Sequence, residues 1–222
     1  MLLLRVDRVG ACVEAIDPHA ALSVDEYARW SRFASVRRRR QFLAGRQLLR
    51  QMLSAQVGAG EGAIAVEPGG ALRVATPGLW VSISHSGEWV AAAVADRPVG
   101  VDIEVPRPGR DLSRLAESIG SLSGGSADFY TTWTLKEAVM KRWGMGLDLA
   151  RMRALGAQPI DPQHANAQTA SLELDGRSPL LYLAVAADGV GDLSVESTLS
   201  WCRETVAHWQ LIGAHPRSRS RG

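Results

Sequence analysis

The chain has 222 residues and a formal net charge of +2 from 25 basic and 23 acidic side chains, with 46% hydrophobic and 22% charged residues. That apolar content fills one large core or two small ones, and it excludes a disordered, collagen-like or disulfide-scaffold protein. No apolar run approaches the roughly 20 residues of a membrane span, and Met1-Leu2-Leu3-Leu4 is broken at once by Arg5 and Asp7. A soluble, cytoplasmic protein without a secretory signal or membrane partner is therefore expected. Cys12 and Cys202 lie far apart and lack metal-ligand spacing, so neither a structural disulfide nor a zinc knuckle is expected.

The first regular pattern covers residues 36–57. Phe42, Leu43, Leu48, Leu49, Met52, Leu53 and Val57 recur near helical period, Arg37 to Arg40 open the segment, and Gly58 and Gly60 close it. The period then falls to two. Residues 81–85, 89–95 and 99–104 read as strands joined by Ser86-Gly87-Glu88 and Asp96-Arg97-Pro98, an antiparallel meander behind a helix. The same order returns downstream, with a helix over 128–143 that stops before Gly144 and Gly146. Strands over 170–174, 180–187 and 193–199 follow, parted by Asp175-Gly176 and Asp188-Gly189. The expected fold class is α+β: two similar halves, 1–98 and 99–212, each a helix packed on a small antiparallel meander sheet, a pseudo-dimer. Residues 105–126, rich in Pro, Gly and Ser, connect the halves, and 213–222 form a tail expected to be disordered. The tail is basic but the body is close to neutral, so no nucleic-acid partner is expected.

Of the 25 basic residues 23 are arginine, and the only two lysines, Lys136 and Lys141, lie five positions apart. A general bias toward arginine leaves that pair unexplained. Lysine offers a compact, titratable ammonium where arginine offers a permanently charged fork, so the segment reads as one that needs a point charge or a proton donor. Chance placement on a solvated helix face is the plain alternative. On a helix, Trp133, Glu137 and Lys141 share one face and bring a carboxylate beside an ammonium. An exposed pair worth a few tenths of a kcal/mol competes with that reading. A capping box from Thr134 to Glu137 starts the helix too late, because Phe129, Tyr130 and Trp133 already follow its stripe.

Two further segments carry chemistry. In Gly100-Val101-Asp102-Ile103-Glu104, strand alternation turns Val101 and Ile103 to a core and holds Asp102 and Glu104 side by side on the other face. A hard divalent cation relieves such a pair, and Mg²⁺ takes one or two carboxylates together with phosphate oxygens and waters. Taken alone, the strand reads first as an ordinary half-exposed one, since paired surface carboxylates are common. Ser84-His85-Ser86-Gly87, where a strand meets a turn, offers hydroxyls, an imidazole and backbone N–H groups to an anion. A lone strand-end histidine is otherwise structural, and adjacent strand residues point apart, which leaves His85 poorly placed to activate Ser84 as a nucleophile.

In this order the segments resemble the phosphopantetheinyl transferases of the larger, pseudo-dimeric, surfactin-synthetase-activating type, which act on carrier proteins of polyketide, nonribosomal peptide and fatty acid synthesis. The matching pieces are Ser84-His85-Ser86-Gly87, Gly100 to Glu104, and Trp133-x-x-Lys136-Glu137-x-x-x-Lys141 followed by Gly144 and Gly146. Phe33 and the run Phe42-Leu43-Ala44-Gly45-Arg46-x-Leu48-Leu49-Arg50 look like the family's N-terminal helix, and the likeness spans roughly residues 27 to 200. The resemblance implies that Asp102, Glu104 and Glu137 hold Mg²⁺ against the pyrophosphate of coenzyme A. It implies that Ser84, His85 and Ser86 take a phosphate of the 3′-phosphoadenosine part, with Arg29, Arg46, Lys136 and Lys141 also in or near the coenzyme A site. A serine of an apo acyl or peptidyl carrier protein would attack the β-phosphate and release 3′,5′-ADP. Glu137, directly or through a metal-bound water, would take the serine proton, and Lys141 would neutralise or protonate the leaving phosphate. The implied partners are coenzyme A and the carrier protein, and the implied state is a monomer.

The chain departs from the family pattern in two places. Between Glu104 and Trp133 an aromatic and acidic helical piece gives way to Ile119-Gly120-Ser121-Leu122-Ser123-Gly124-Gly125, and a Gly-Lys-Pro stretch before the meander reads Gly69-Gly70-Ala71. Arg37 to Arg40 with Arg32 are candidates for meeting an acidic carrier surface, unless they form a solvated helix face. Two other functions compete: a lapsed relative that binds coenzyme A or a carrier without turnover, and a metal-dependent phosphohydrolase with water as nucleophile.

Overall fold

A computed structural model describes residues 1–57, 64–66, 72–121, 126–174, 177–189, 195–196 and 201–212. In chain order the elements are β1 (Leu2–Arg8), α1 (Val9–Val13), α2 (Pro18–Ala21), α3 (Val24–Ser31), α4 (Val36–Val57), β2 (Ile64–Val66), β3 (Leu72–Val74), β4 (Trp80–Ser86), β5 (Trp89–Ala95) and β6 (Gly100–Glu104). They continue with α5 (Leu112–Ser118), α6 (Ser126–Arg142), α7 (Leu149–Ala154), β7 (Gly156–Pro159), a 3₁₀ turn (Pro162–His164), β8 (Ala167–Leu174), β9 (Arg177–Ala186), β10 (Val195–Glu196) and β11 (Trp201–Ile212). Among the described residues no helix is long and apolar enough to cross a membrane.

The strands form a four-stranded sheet in the order β10-β1-β5-β4 and a five-stranded sheet in the order β6-β9-β8-β11-β7, with β2 and β3 paired apart. Side-chain alternation explains how these sheets stack. On β5, Trp89, Ala91, Ala93 and Ala95 face one way and join Val101, Ile103, Leu181, Leu183 and Val185 in the core between the sheets. Val90, Ala92 and Val94 face the other way, onto Ala44, Leu48 and Leu49 of α4. On β9, Tyr182, Ala184 and Ala186 turn outward onto α6 through Leu135, Ala138 and Val139. The layers run α4, first sheet, second sheet, α6.

Close approach at two glycines sets the helix heights. A Cβ at Gly45 of α4 would lie 2.8 Å from Ile83 Cγ2 on β4, and a Cβ at Gly100 of β6 would lie 2.5 Å from the Arg142 backbone nitrogen on α6. Caps fix the helix ends. Ser23 and Glu26 form a reciprocal capping box on α3, and Asp111 and Asp148 accept from the Arg114 and Arg151 amides to start α5 and α7.

The helices over 36–57 and 128–143 match α4 and α6 closely. The first meander needs correction. β6 does not continue the β4–β5 hairpin but pairs antiparallel with β9 in the second sheet. Val99, Val101 and Ile103 belong to the core shared by both sheets, and Asp96-Arg97-Pro98 carries the chain across after the β5 ladder ends. In the second half, β8 pairs with β9 as expected, but the third strand is β11, on the far side of β8. Of the strand expected over 193–199, Val195 and Glu196 pair in parallel with β1 in the first sheet, and the rest lies outside the described residues. The connector over 105–126 contains α5, started by its Asp111 cap. β1 is an element that the sequence reading does not include, although Leu4-Arg5-Val6-Asp7 alternates apolar and polar residues. The tail at 213–222 lies outside the described residues.

Candidate active site

β4 and β6 are edge strands of different sheets, and they meet through side chains. Val81, Ile83 and His85 of β4 turn toward α4, which leaves Ser82, Ser84 and Ser86 toward β6. In place of a backbone ladder, the Val101, Ile103 and Val105 amides donate to the Ser82, Ser84 and Ser86 hydroxyls at 3.0, 3.3 and 3.0 Å. Two of these hydroxyls pass the bond onward: Ser84 Oγ donates to Asp102 Oδ1 and Ser86 Oγ to Glu104 Oε2, each at 2.7 Å.

Helix α6, seated on Gly100, brings the third carboxylate and its cation. Lys141 Nζ donates to Asp102 Oδ1 at 2.6 Å, with the Lys141 side chain 27% exposed and Asp102 buried. Asp102 Oδ2 is buried without a hydrogen-bond partner. Glu137, one turn before Lys141, is pushed up to about 7 by burial and then by the Asp102 charge, against the pull of Lys141, with Glu104 adding to the rise. Burial also raises Glu104; its Ser86 bond and Arg110, 3.9 Å away, oppose this, while Asp102 adds to it.

On the α4 side of the seam, Arg38 Nη1 lies 3.1 Å from His85 Nδ1. A guanidinium has no acceptor, so Nδ1 accepts and the imidazole carries its proton on Nε2. Burial, Arg38, Lys141 and Arg107 hold the imidazole down to about 3, so it stays neutral at physiological pH. The result is a neutral donor ringed by cations, suited to an anion.

The structure brings Asp102, Glu104, Glu137, Lys141, Ser84, Ser86 and His85 to one seam. The other expected residues sit elsewhere. Lys136 is buried on α6, and its ammonium donates to the Ile119 and Met152 carbonyls at 2.7 Å each, tying the C-terminal ends of α5 and α7 to α6. Arg46 is buried in an ion pair with Glu26 at 2.8 Å and stacks 4.6 Å from the Phe42 ring centre. Arg50 pairs with the same carboxylate. Arg29 is exposed; burial lowers Arg38 and Arg46, and the Arg29 charge adds to the fall in both. Sequence reasoning missed Arg38 as a partner of His85, along with the nearness of Arg107 and Arg110. A contact 47 residues apart leaves no local signal. Gly69-Gly70-Ala71 and residues 122–125 lie outside the described residues.

Three carboxylates in electrostatic contact, with one buried oxygen lacking a partner, match the all-oxygen donor set of a hard divalent cation. As the side chains stand, no three His, Cys, Asp or Glu groups among the described residues are gathered closely enough to encircle an ion.

Carboxylates flanked by ammonium and guanidinium groups at the seam of two sheets are the equipment of a phosphoryl-type transferase, where positioning and charge stabilisation do most of the catalysis. Comparison with known proteins narrows the class. Residues 26–95 match the 4′-phosphopantetheinyl transferase N-terminal domain, and residues 98–187 match the 4′-phosphopantetheinyl transferase superfamily. A 4′-phosphopantetheinyl transferase, HetI, of Nostoc sp. is 34% identical over 172 residues, covering 69% of this chain and 72% of its own. One from Bacillus subtilis is 30% identical over 189 residues, covering 79% and 82%. AcpT of Salmonella typhi is 36% identical over 119 residues, covering 48% and 60%. The chain belongs to the 4′-phosphopantetheinyl transferase superfamily and is an enzyme of that activity.

Proposed function

We propose that the chain moves the 4′-phosphopantetheine arm of coenzyme A onto a serine of an apo acyl or peptidyl carrier protein, using Mg²⁺ held by Asp102, Glu104 and Glu137. When bound, the ion neutralises diphosphate charge and polarises the phosphorus under attack. The single observation that carries the reading is the junction of α6 and β6, where Glu137 and Lys141 meet Asp102 and Glu104 beside the cation-ringed His85.

Each side chain then has a task. Arg38 and the His85 Nε2–H bind a phosphate of coenzyme A. Glu137, poised to titrate near neutrality, takes the proton of the carrier serine as its oxygen bonds to the β-phosphorus. The bond from that phosphorus to the bridging oxygen breaks, and 3′,5′-ADP leaves with the electron pair. Lys141, at the mouth of the buried pair, neutralises the charge that develops there. We read the two lobes, a helix on each sheet, as a pseudo-dimer working as a monomer, with substrate bound along their seam.

The test incubates the protein with coenzyme A, Mg²⁺ and an apo carrier protein and weighs the carrier by mass spectrometry. A phosphopantetheine mass gain that disappears in Asp102→Ala and Glu137→Gln supports transfer. Coenzyme A binding with no mass gain on any of several carriers would identify a lapsed relative, and phosphate release without a carrier a hydrolase.

A further inference from the structure

We infer that Ser84 and Ser86 are positioning residues for Asp102 and Glu104, each hydroxyl locking one lobe to the other while fixing the direction of a carboxylate. The inference rests on the metal-holding role proposed above for those carboxylates. It departs from the expectation that these serines serve coenzyme A.

The argument begins with valence. A serine hydroxyl has one proton to donate. In Ser84 and Ser86 that proton is committed to a carboxylate at 2.7 Å, and a lone pair accepts from the Ile103 or Val105 amide. Both serines are buried. With the proton spent, neither hydroxyl has a hydrogen left to donate to a phosphate. The two bonds also act on one another, because an amide that polarises the hydroxyl strengthens its donation to the carboxylate.

Alternation supplies the purpose. Ser82, Ser84 and Ser86 recur every second residue and meet Val101, Ile103 and Val105, which also recur every second residue. Two strands from different sheets are thereby joined in register without a shared ladder. Within this zipper, Ser84 and the ammonium of Lys141 both donate to Asp102 Oδ1, and Oδ2 is left without a hydrogen-bond partner. One oxygen of Asp102 is saturated and the other is kept for a ligand. Groups that hydrogen-bond a ligating carboxylate in this way fix its orientation, and losing them costs about 10–100-fold in metal affinity.

Ser82 is the internal control. It accepts from the Val101 amide as its neighbours do from theirs, but the residue before that amide, Gly100, which stands where Asp102 and Glu104 stand for the other two serines, has no side chain to receive its proton. The three serines should therefore separate. Ser82→Ala, Ser84→Ala and Ser86→Ala each remove a seam bond and lower the unfolding temperature. Ser84→Ala and Ser86→Ala should also weaken Mn²⁺ binding to the full-length protein about 10–100-fold by calorimetry, against less than twofold for Ser82→Ala. Coenzyme A affinity measured in EDTA should change less than threefold in all three. Ser86→Cys, close in size but a weak donor, covers the case of an alanine variant that fails to fold, and it should lose Mn²⁺ affinity while remaining folded. Wild-type Mn²⁺ affinity in folded Ser84→Ala and Ser86→Cys overturns the inference. So does a loss of coenzyme A affinity in EDTA with Mn²⁺ affinity intact. Asp102→Ala, run alongside, separates the two readings: if it keeps wild-type Mn²⁺ affinity, the metal-holding role itself has failed, and if it loses that affinity while the serine variants do not, only the positioning role has.

Discussion

Gly100→Ala probes how α6 comes to hold its side chains against β6. A Cβ at position 100 would lie 2.5 Å from the Arg142 backbone nitrogen and closer still to the Ala138 carbonyl oxygen, both of them backbone of α6. Ordinary contact begins near 3.4 Å, so the helix must retreat by about 1 Å or more. No rotamer change relieves a clash with backbone. Overpacking of this kind costs about 1–3 kcal/mol. In a chain of this length each kcal/mol moves Tm by roughly 2–4 °C, so a fall of about 2–12 °C is expected by calorimetry or circular dichroism. The same retreat pulls Lys141 Nζ off Asp102 Oδ1, now 2.6 Å away, and carries Glu137 with it. A misplacement of about 1 Å costs on the order of 10²-fold in rate, read as the initial rate of carrier mass gain at saturating coenzyme A. A variant with wild-type Tm and wild-type turnover would refute this account of the helix seat.

Titration gives two predictions of opposite sign. Glu137 titrates near 7 in the folded chain and near 4.3 when unfolded, so between those values the native state holds the extra proton and metal-free stability falls as pH rises. Urea midpoints in EDTA at pH 5 and 7.5 should show that decline in the wild type and a flatter response in Glu137→Gln; equal slopes contradict the shift. His85, held down to about 3, stays neutral in the native state, so its contribution is present above about 6.5 and is lost as pH falls through the folded value, a loss that His85→Gln should reduce over pH 4 to 6.5. Lys141→Arg keeps the charge but replaces a point donor with a fork where Asp102 offers a single shared oxygen, and about a tenfold or greater fall in kcat is expected; unchanged turnover removes any special role for the ammonium. Lys136→Met strips the donor from two carbonyls and should cost about 2 kcal/mol, or roughly 4–8 °C in Tm. A raised Kd for coenzyme A with an unchanged Tm would instead place Lys136 among the ligand contacts.

Local order is legible in the chain itself. The stripe from Phe42 to Val57 and the one through Phe129 and Trp133 set α4 and α6, because burying one face of a helix imposes a period that shows in the chain. Alternation likewise placed Asp102 and Glu104 on one face of β6 and His85 opposite its neighbouring serines. Alternation does not say what each face meets: Ser84 and Ser86 meet carboxylates, and His85 meets Arg38. The two isolated lysines were noticed for their rarity, but rarity treated them alike. Only packing separates Lys141, on Asp102, from Lys136, which holds the ends of two helices.

What the tertiary structure alone decided are the pairings across long separations. The sequence determined that strands 4, 5 and 6 exist, but a strand's pattern does not name its partner: β1 takes the edge of β5 that β4 leaves open, and β6 pairs with β9 across the shared core. Arg38 reaches His85 over 47 residues, and Ser84 and Ser86 reach Asp102 and Glu104 over 18. Such contacts depend on which faces two separately formed elements present to each other. That is set by the burial of the whole core, to which every residue contributes and which no short stretch of chain encodes.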